Sequence, residues 1–267
     1  MTQKQWLRYK KGYESFAAKE LIKHFRQQVN TIPFFAINKD NIKEVLNGAI
    51  RENELYTTYY NFYLNIGLSH GKRVGKKFND DLKNFSLDLF SNEMQKGLFR
   101  WILQNVGERI VSVNSTFKVY IQNIIQQGFN DGKTIEQITT DIQKLINKRS
   151  FYRWQALRIA RTETTTAANR ATNEVGRLSN ALYKKFWVSG QDNRTRTLED
   201  GRFDHKAMHL KEVAKDDYFN VNGEEILYPA ATETKQGNKT SAANVIQCRC
   251  TFSLVPMRDS NGRVIRR

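Results

Sequence analysis

Apolar residues recur at helical spacing through the first two thirds of the chain. Phe16, Leu21 and Phe25 fall near one helical face, and the repeat stops at Thr31-Ile32-Pro33, where proline cannot continue a helix. Asn38 or Asp40 stands where a second helix needs a cap, and Ile42, Val45, Leu46, Ala49 and Ile50 share the face that follows. That face continues through Leu55, Tyr59, Phe62, Tyr63 and Ile66. Gly67, Gly71 and Gly75 come next, at intervals of four. On a helix they admit a close neighbour, but glycine is a poor helix former, so a broken helix is the favoured expectation. His70, Lys72, Arg73, Lys76 and Lys77 interrupt this stretch and exclude a lipid-facing role. The helical repeat resumes over 85–110 with Phe85, Leu89, Phe90, Met94, Leu98, Trp101 and Ile102. It runs again through Phe117, Tyr120, Ile121, Ile124 and Ile125 to Gly128. Asn130-Asp131-Gly132-Lys133 reads as a turn, and Thr134 with Gln137 as a capping box. The helix so opened carries Ile135, Ile138, Ile142, Leu145 and Ile146, and a last helix is predicted from about Phe151 to Leu182. These stripes are core positions.

The pattern changes after Lys184. Short apolar patches such as Lys185-Phe186-Trp187-Val188 are separated by Gly, Asn and Asp. Asn222-Gly223 lies between Tyr218-Phe219 and Ile226-Leu227-Tyr228, a hairpin signature. Residues 230–243 read as an exposed loop, Cys248 to Leu254 as a strand, and Arg263 to Arg267 as a frayed basic tail. The fold class is therefore α+β: a helical N-terminal region followed by a small mixed α/β C-terminal domain with short antiparallel strands. The expected division is a helical region over 1–130, a C-terminal domain over 131–258 and a basic tail over 259–267.

Composition adds a strong charge signal. The 267 residues carry 43 Lys and Arg against 27 Asp and Glu, a net of +16. The excess is +9 over residues 1–150 and +7 over the rest. A distributed positive field attracts polyanions, although no helix-turn-helix or zinc-finger spacing points to sequence-specific reading. Met1 to Lys11 lacks the apolar core of a signal peptide, and no apolar run reaches the ~18 residues of a membrane span. Two cysteines, Cys248 and Cys250, cannot build a disulfide framework, which fits synthesis in a reducing compartment.

Four patches carry candidate chemistry. Arg161-Thr162-Glu163 sits on the last helix, with Arg161 and Glu163 on different faces. Asp192-Asn193-Arg194-Thr195-Arg196 offers either a phosphate site or a tight turn fixed by an Asp–Arg pair. His205 and His209 would share a face if helical. With Cys248 and Cys250 they make the ligand set of a tetrahedral zinc; the competing reading is buried thiols beside a solvated histidine pair. Arg161, Glu163, Asp192, Arg194, Arg196 and Arg249 form the candidate DNA, phosphate or structural polar cluster.

The order of these patches, with Trp187, Phe219, Gly223 and Tyr228-Pro229 between them, resembles the phage Mu F-like head morphogenesis family, the minor head proteins of tailed phages. The resemblance covers about 130–265. Three departures stand out. His209-Leu210 occupies the place of an Asp-Gly, Gln247 that of an asparagine before Cys-Arg-Cys, and a small insertion falls around 197–203. The resemblance implies a minor head protein of the virion, made in the host cytoplasm and bound to the portal protein at the portal vertex inside the head. It implies a part in procapsid assembly and in DNA packaging or ejection, contact with the major capsid or scaffolding protein, and non-specific contact with double-stranded DNA. The aromatic faces of the helices (Tyr56, Tyr59, Tyr60, Phe62, Tyr63) exceed what one small core needs, which assigns portal contact to the helical region. The alternative is a DNA- or nucleotide-processing enzyme, nuclease or toxin-like, with His205, Glu163 and Arg161 as catalytic candidates. No P-loop accompanies them, and the assembly role is preferred over the enzyme.

Overall fold

The computed structural model describes residues 1–80, 87–147 and 151–266. Eight α-helices and five short strands occur among them. The helices are α1 (Gln3–Asn30), α2 (Ile42–Ala49), α3 (Glu52–Asp80), α4 (Leu87–Asn105), α5 (Gly107–Asn130), α6 (Ile135–Asn147), α7 (Phe151–Leu178) and α8 (Ala242–Val245). The strands are β1 (Tyr183–Val188), β2 (Glu212–Ala214), β3 (Phe219–Val221), β4 (Glu224–Ile226) and β5 (Thr251–Pro256). The α+β class holds. Phe85, and the side chains of Leu89, Phe90 and Ile146, lie outside the described residues.

The chain forms two compact units, and neither is one stretch of sequence. One comprises Met1–Ser15, Tyr63–Trp101 and Arg158–Arg267; the other comprises Phe16–Phe62 and Ile102–Leu157. The second unit is all-helical. Its core is the set of stripes read above: Leu21, Phe25, Leu46, Leu55, Phe117, Ile121, Ile138 and Ile142 are buried, and Phe25 stacks on Phe117 at 4.7 Å. Extended Ile50 separates α2 from α3. The predicted cap at Asn38 or Asp40 is not made: Asn38 Oδ1 instead accepts the backbone N–H groups of Asp40 and Asn41, forming a turn before α2. The capping box at the start of α6 is present, with Thr134 N donating to Gln137 Oε1 (2.9 Å) and Gln137 N to Thr134 Oγ1 (3.4 Å).

In the first unit, α3 passes through its glycines unbroken, contrary to expectation. The reason is packing. A Cβ on Gly71 would lie 1.8 Å from Met94 Cε, and one on Gly67 2.7 Å from Leu98 Cδ1. Close approach of α4 compensates for the ~1 kcal/mol that each glycine costs a helix. Of the aromatic residues assigned to an interface, Tyr59, Phe62 and Tyr63 are buried and Tyr56 and Tyr60 half-buried, so most of that surplus is core.

β1 is the central strand of an antiparallel sheet in the order β2-β1-β5, with Lys184 opposite Ala214 and Trp187 opposite Phe252. β3 and β4 form the predicted hairpin. Asn222 (φ 49°) and Gly223 (φ 92°) are both left-handed, as a two-residue type I′ turn demands. The sheet and hairpin enclose a core of Trp187, Phe203, Phe219, Val221, Ile226, Tyr228 and Phe252. The stretch 230–243 is less exposed than expected: Ala230, Ala231 and Thr240 are buried, and α8 begins at Ala242. The tail is not frayed up to Arg266. It turns at Asp259 and pairs back, with Leu182 N donating to Ile265 O and Ile265 N to Met257 O, both at 2.9 Å.

Candidate functional site

The Cys-Arg-Cys segment is the approach to β5. Both cysteines are buried and neither is in a disulfide. His205 meets them from a loop whose start is fixed by its backbone N–H on the Arg196 carbonyl (3.1 Å). Its Nδ1 lies 3.5 Å from Cys248 Sγ and 3.6 Å from Cys250 Sγ. Its Nε2 is 2.6 Å from Asn244 Oδ1. Asn244 Nδ2 donates to Glu224 Oε2 (2.8 Å), and Glu224 Oε1 accepts from the backbone N–H (2.9 Å) and hydroxyl (2.8 Å) of Ser241. This relay sets the tautomer. With the Asn244 amide nitrogen committed to a carboxylate, its oxygen must accept from Nε2, and a neutral ring then presents the Nδ1 lone pair to the sulfurs. The carboxyl of Glu224 is destabilised by burial, yet the donors from Asn244 and Ser241 outweigh this and hold it below its ordinary range.

His209 does not join the cluster. Residues 205–210 form turns rather than a helix, so the expected shared face does not exist. His209 Nδ1 accepts the Ser189 backbone N–H instead (3.2 Å). The candidate metal set is therefore His205, Cys248 and Cys250, whose ligand atoms lie within 4.8 Å of one another. The two departures from the family pattern at 210 and 247 share a backbone property. Leu210 (φ 63°) and Gln247 (φ 56°) are left-handed, the conformation that glycine and asparagine adopt at least cost. The stretch 197–203, where the resemblance implies an insertion, holds a 3-10 turn, Leu198–Asp200, closed by a Thr197–Asp200 capping box.

The guanidinium that pairs with Asp192 is that of Arg249, not of Arg194 or Arg196. Arg249 Nε donates to Oδ1 (3.1 Å) and a terminal nitrogen to Oδ2. Asp192 Oδ1 also accepts from the Thr195 hydroxyl (2.8 Å) and the Arg194 N–H (3.2 Å). A two-point arginine contact and a tight turn thus meet in one carboxylate. Burial disfavours its charge, but the Arg249 and Thr195 donors more than compensate and lower its pKa. Arg196 donates to the Ile246 carbonyl (2.8 Å). Arg161, Arg194, Arg196 and Arg249 line a cleft of about 290 Å³ with Lys10, Glu14 and Asp200, and the edge of the His205–Cys248–Cys250 cluster opens onto it.

The inner face of α7 holds this region in place. Thr165 Oγ1 donates to the Cys248 carbonyl (2.8 Å). Asn169 Nδ2 donates to Pro229 O (2.8 Å) and Cys250 O (3.1 Å), and its Oδ1 accepts from Thr251 Oγ1 (2.7 Å). Thr162 Oγ1 accepts the Gln247 N–H (3.0 Å). Buried Lys10 donates to Thr165 Oγ1 (2.5 Å) and the Arg161 carbonyl (3.1 Å) and pairs with Glu14 at 2.9 Å. Burial lowers the Lys10 pKa, against the pull of Glu14. Glu163 points elsewhere: it is buried and accepts a hydrogen bond from the Tyr63 hydroxyl. Of the catalytic candidates, His205 and Arg161 line the same cleft while Glu163 is turned to Tyr63, and both nitrogens of His205 are already engaged.

Reading the sequence missed Lys10, Asn244, Glu224 and Lys185; Asn169 stood in the Arg-Thr-Glu patch, but its partners were not foreseen. Lys185 is buried on β1, donates to the carbonyls of Asp217 (2.6 Å) and Leu227 (2.9 Å), and has its pKa lowered by burial to about 8. The run Thr162 to Thr166 was the available signal for the polar face of α7, since so many β-branched polar residues in mid-helix need partners. Nothing local marks Lys10 or Asn244.

Among the described residues no helix is long and apolar enough to cross a membrane. Residues 120–253 match the family model described as phage Mu protein F like protein. No curated protein and no solved structure matches the chain.

Proposed function

The chain belongs to the phage Mu protein F-like family of phage head proteins, and from that membership we propose that it is a minor head protein bound at the portal vertex, inside the head, assisting procapsid assembly and DNA packaging or ejection. The carrying observation is that the family match falls on the segment whose motif residues interlock. Thr162, Thr165 and Asn169 of α7 hold the backbone of 247–250, and Asp192 holds Arg249. These motifs hold one another in place, and Glu163 is turned to Tyr63 rather than joining His205 and Arg161 in a catalytic trio. That favours an assembly part over a nuclease.

Residues 131–258 are the proposed family domain. The helices within 1–130, which almost entirely precede the match, are the proposed contact with the portal and with capsid or scaffolding protein, since a partner-specific surface is free to differ between phages. The +16 charge and the arginines of the cleft suit non-specific contact with packaged DNA, where phosphate binding weakens steeply with salt. The test is co-purification with the portal protein of the same phage at rising salt. The complex is expected to survive above ~0.15 M ionic strength, where exposed charges are screened beyond about 8 Å, while DNA is lost. Absence of portal association at moderate salt would overturn the reading.

A further inference from the structure

We propose that His205 Nδ1, Cys248 Sγ and Cys250 Sγ bind one zinc ion whose fourth position opens on the basic cleft.

The distances carry the proposal. Zinc holds thiolate sulfur at about 2.3 Å and histidine nitrogen at about 2.0–2.1 Å, so two such bonds at a tetrahedral angle set sulfur and nitrogen about 3.6 Å apart. The observed separations are 3.5 and 3.6 Å. A thiol–imidazole hydrogen bond explains one such contact but not two, because a ring nitrogen offers a single lone pair. Two sulfurs converging on it mark the place of a cation. The Cys250 backbone N–H is 3.4 Å from Cys248 Sγ, a donor suited to a charged sulfur.

The surroundings are those of a metal-ligating histidine. Its far nitrogen is held by Asn244, itself held by Glu224, which fixes the ring's orientation and tautomer as outer-sphere partners of metal ligands do. Soft sulfur with imidazole favours zinc over magnesium or calcium. Both thiols release their protons on binding, so two thiolates balance the dication. The three ligands come from two segments, the 201–211 loop and the approach to β5, and the ion would tie one to the other. The pair lies just before β5, and both sulfurs lie within 4.8 Å of the His205 ring nitrogen and of each other. The fourth ligand is water, reached from the cleft lined by Arg161, Arg194 and Arg249.

The test is cobalt(II) titration of the chelator-treated, reduced full-length chain, followed by zinc. We expect one equivalent of cobalt, intense tetrahedral d–d bands, a thiolate-to-cobalt charge-transfer band, and displacement of both by zinc. His209→Ala should bind as the wild type does. Cys248→Ser should lose the charge-transfer intensity of one sulfur, and Asn244→Ala should bind about 10–100-fold more weakly. A wild-type spectrum without the thiolate band, or less than half an equivalent bound, overturns the site even if the substituted chains do not fold. Retention of the full band in Cys248→Ser also overturns it. Portal association is measured separately, so loss of either property leaves the other decided on its own.

Discussion

Asp192 and Arg249, 57 residues apart, make a two-point carboxylate–guanidinium contact that joins the turn after β1 to the Cys-Arg-Cys segment. Asp192→Asn should therefore destabilise the protein by about 1–2 kcal/mol at neutral pH, the scale of a hydrogen bond to a charged group. The folded-state pKa is depressed, so the contribution is present above the unfolded value of about 3.9 and is lost as pH falls through the folded one. Urea denaturation of both forms at pH 7 and near pH 3 checks this. The difference should shrink in acid.

Leu210 and Gln247 pay for left-handed backbone. Both side chains are exposed, so their replacement costs little packing. Leu210→Gly should gain about 1 kcal/mol, the relief of the left-handed penalty less the entropy glycine adds to the unfolded chain. Gln247→Asn should gain a few tenths, as asparagine tolerates this region better. A raised denaturation midpoint at constant m-value is the expected result, and a fall for Leu210→Gly would contradict the turn geometry.

Gly71→Ala sets helix propensity against packing. Alanine gains about 1 kcal/mol of propensity, but its Cβ must displace buried Met94, and overpacking costs about 1–3 kcal/mol. Net destabilisation of about 1 kcal/mol is expected. In the Gly71→Ala, Met94→Ala double variant the two losses should fall short of their sum, measured by a double-mutant cycle.

His70 is buried between Trp6 and Tyr13, at ring distances of 5.6 and 5.9 Å, with no hydrogen-bond partner on either nitrogen among the described residues. Burial first, then the Arg73 charge, lowers its pKa to about 3. The unfolded chain therefore binds the proton more readily between about 6.5 and 3, and stability falls as pH drops through that window. At pH 5 the loss is about 2 kcal/mol from this group, at 1.36 kcal/mol per unit below 6.5. His70→Phe should flatten the pH dependence of the melting temperature between pH 7 and 5; an unchanged slope would show that His70 is not the group responsible.

The sequence by itself determined what local chemistry governs. That these stretches are helical, though not where each helix starts and stops, followed from the 3.6-residue repeat, the start of α6 from Thr134 and Gln137, and the β3–β4 turn from Asn222-Gly223. The order of the motif patches pointed to the family without any structure, because order along the chain is a property of the sequence alone. Tertiary structure decided what depends on side chains distant in sequence. Only the folded loop shows that His205 reaches the cysteines and His209 does not, since the i, i+4 argument presupposes a helix that does not form. Glu163 faces Tyr63 rather than the cleft, and Asp192 finds Arg249 rather than Arg194 or Arg196. The glycines of α3 stay helical because Met94 and Leu98 fill the space they leave, and the tail is ordered because Ile265 finds free backbone partners at Leu182 and Met257. Each of these outcomes turns on a long-range contact, whose formation no local propensity encodes.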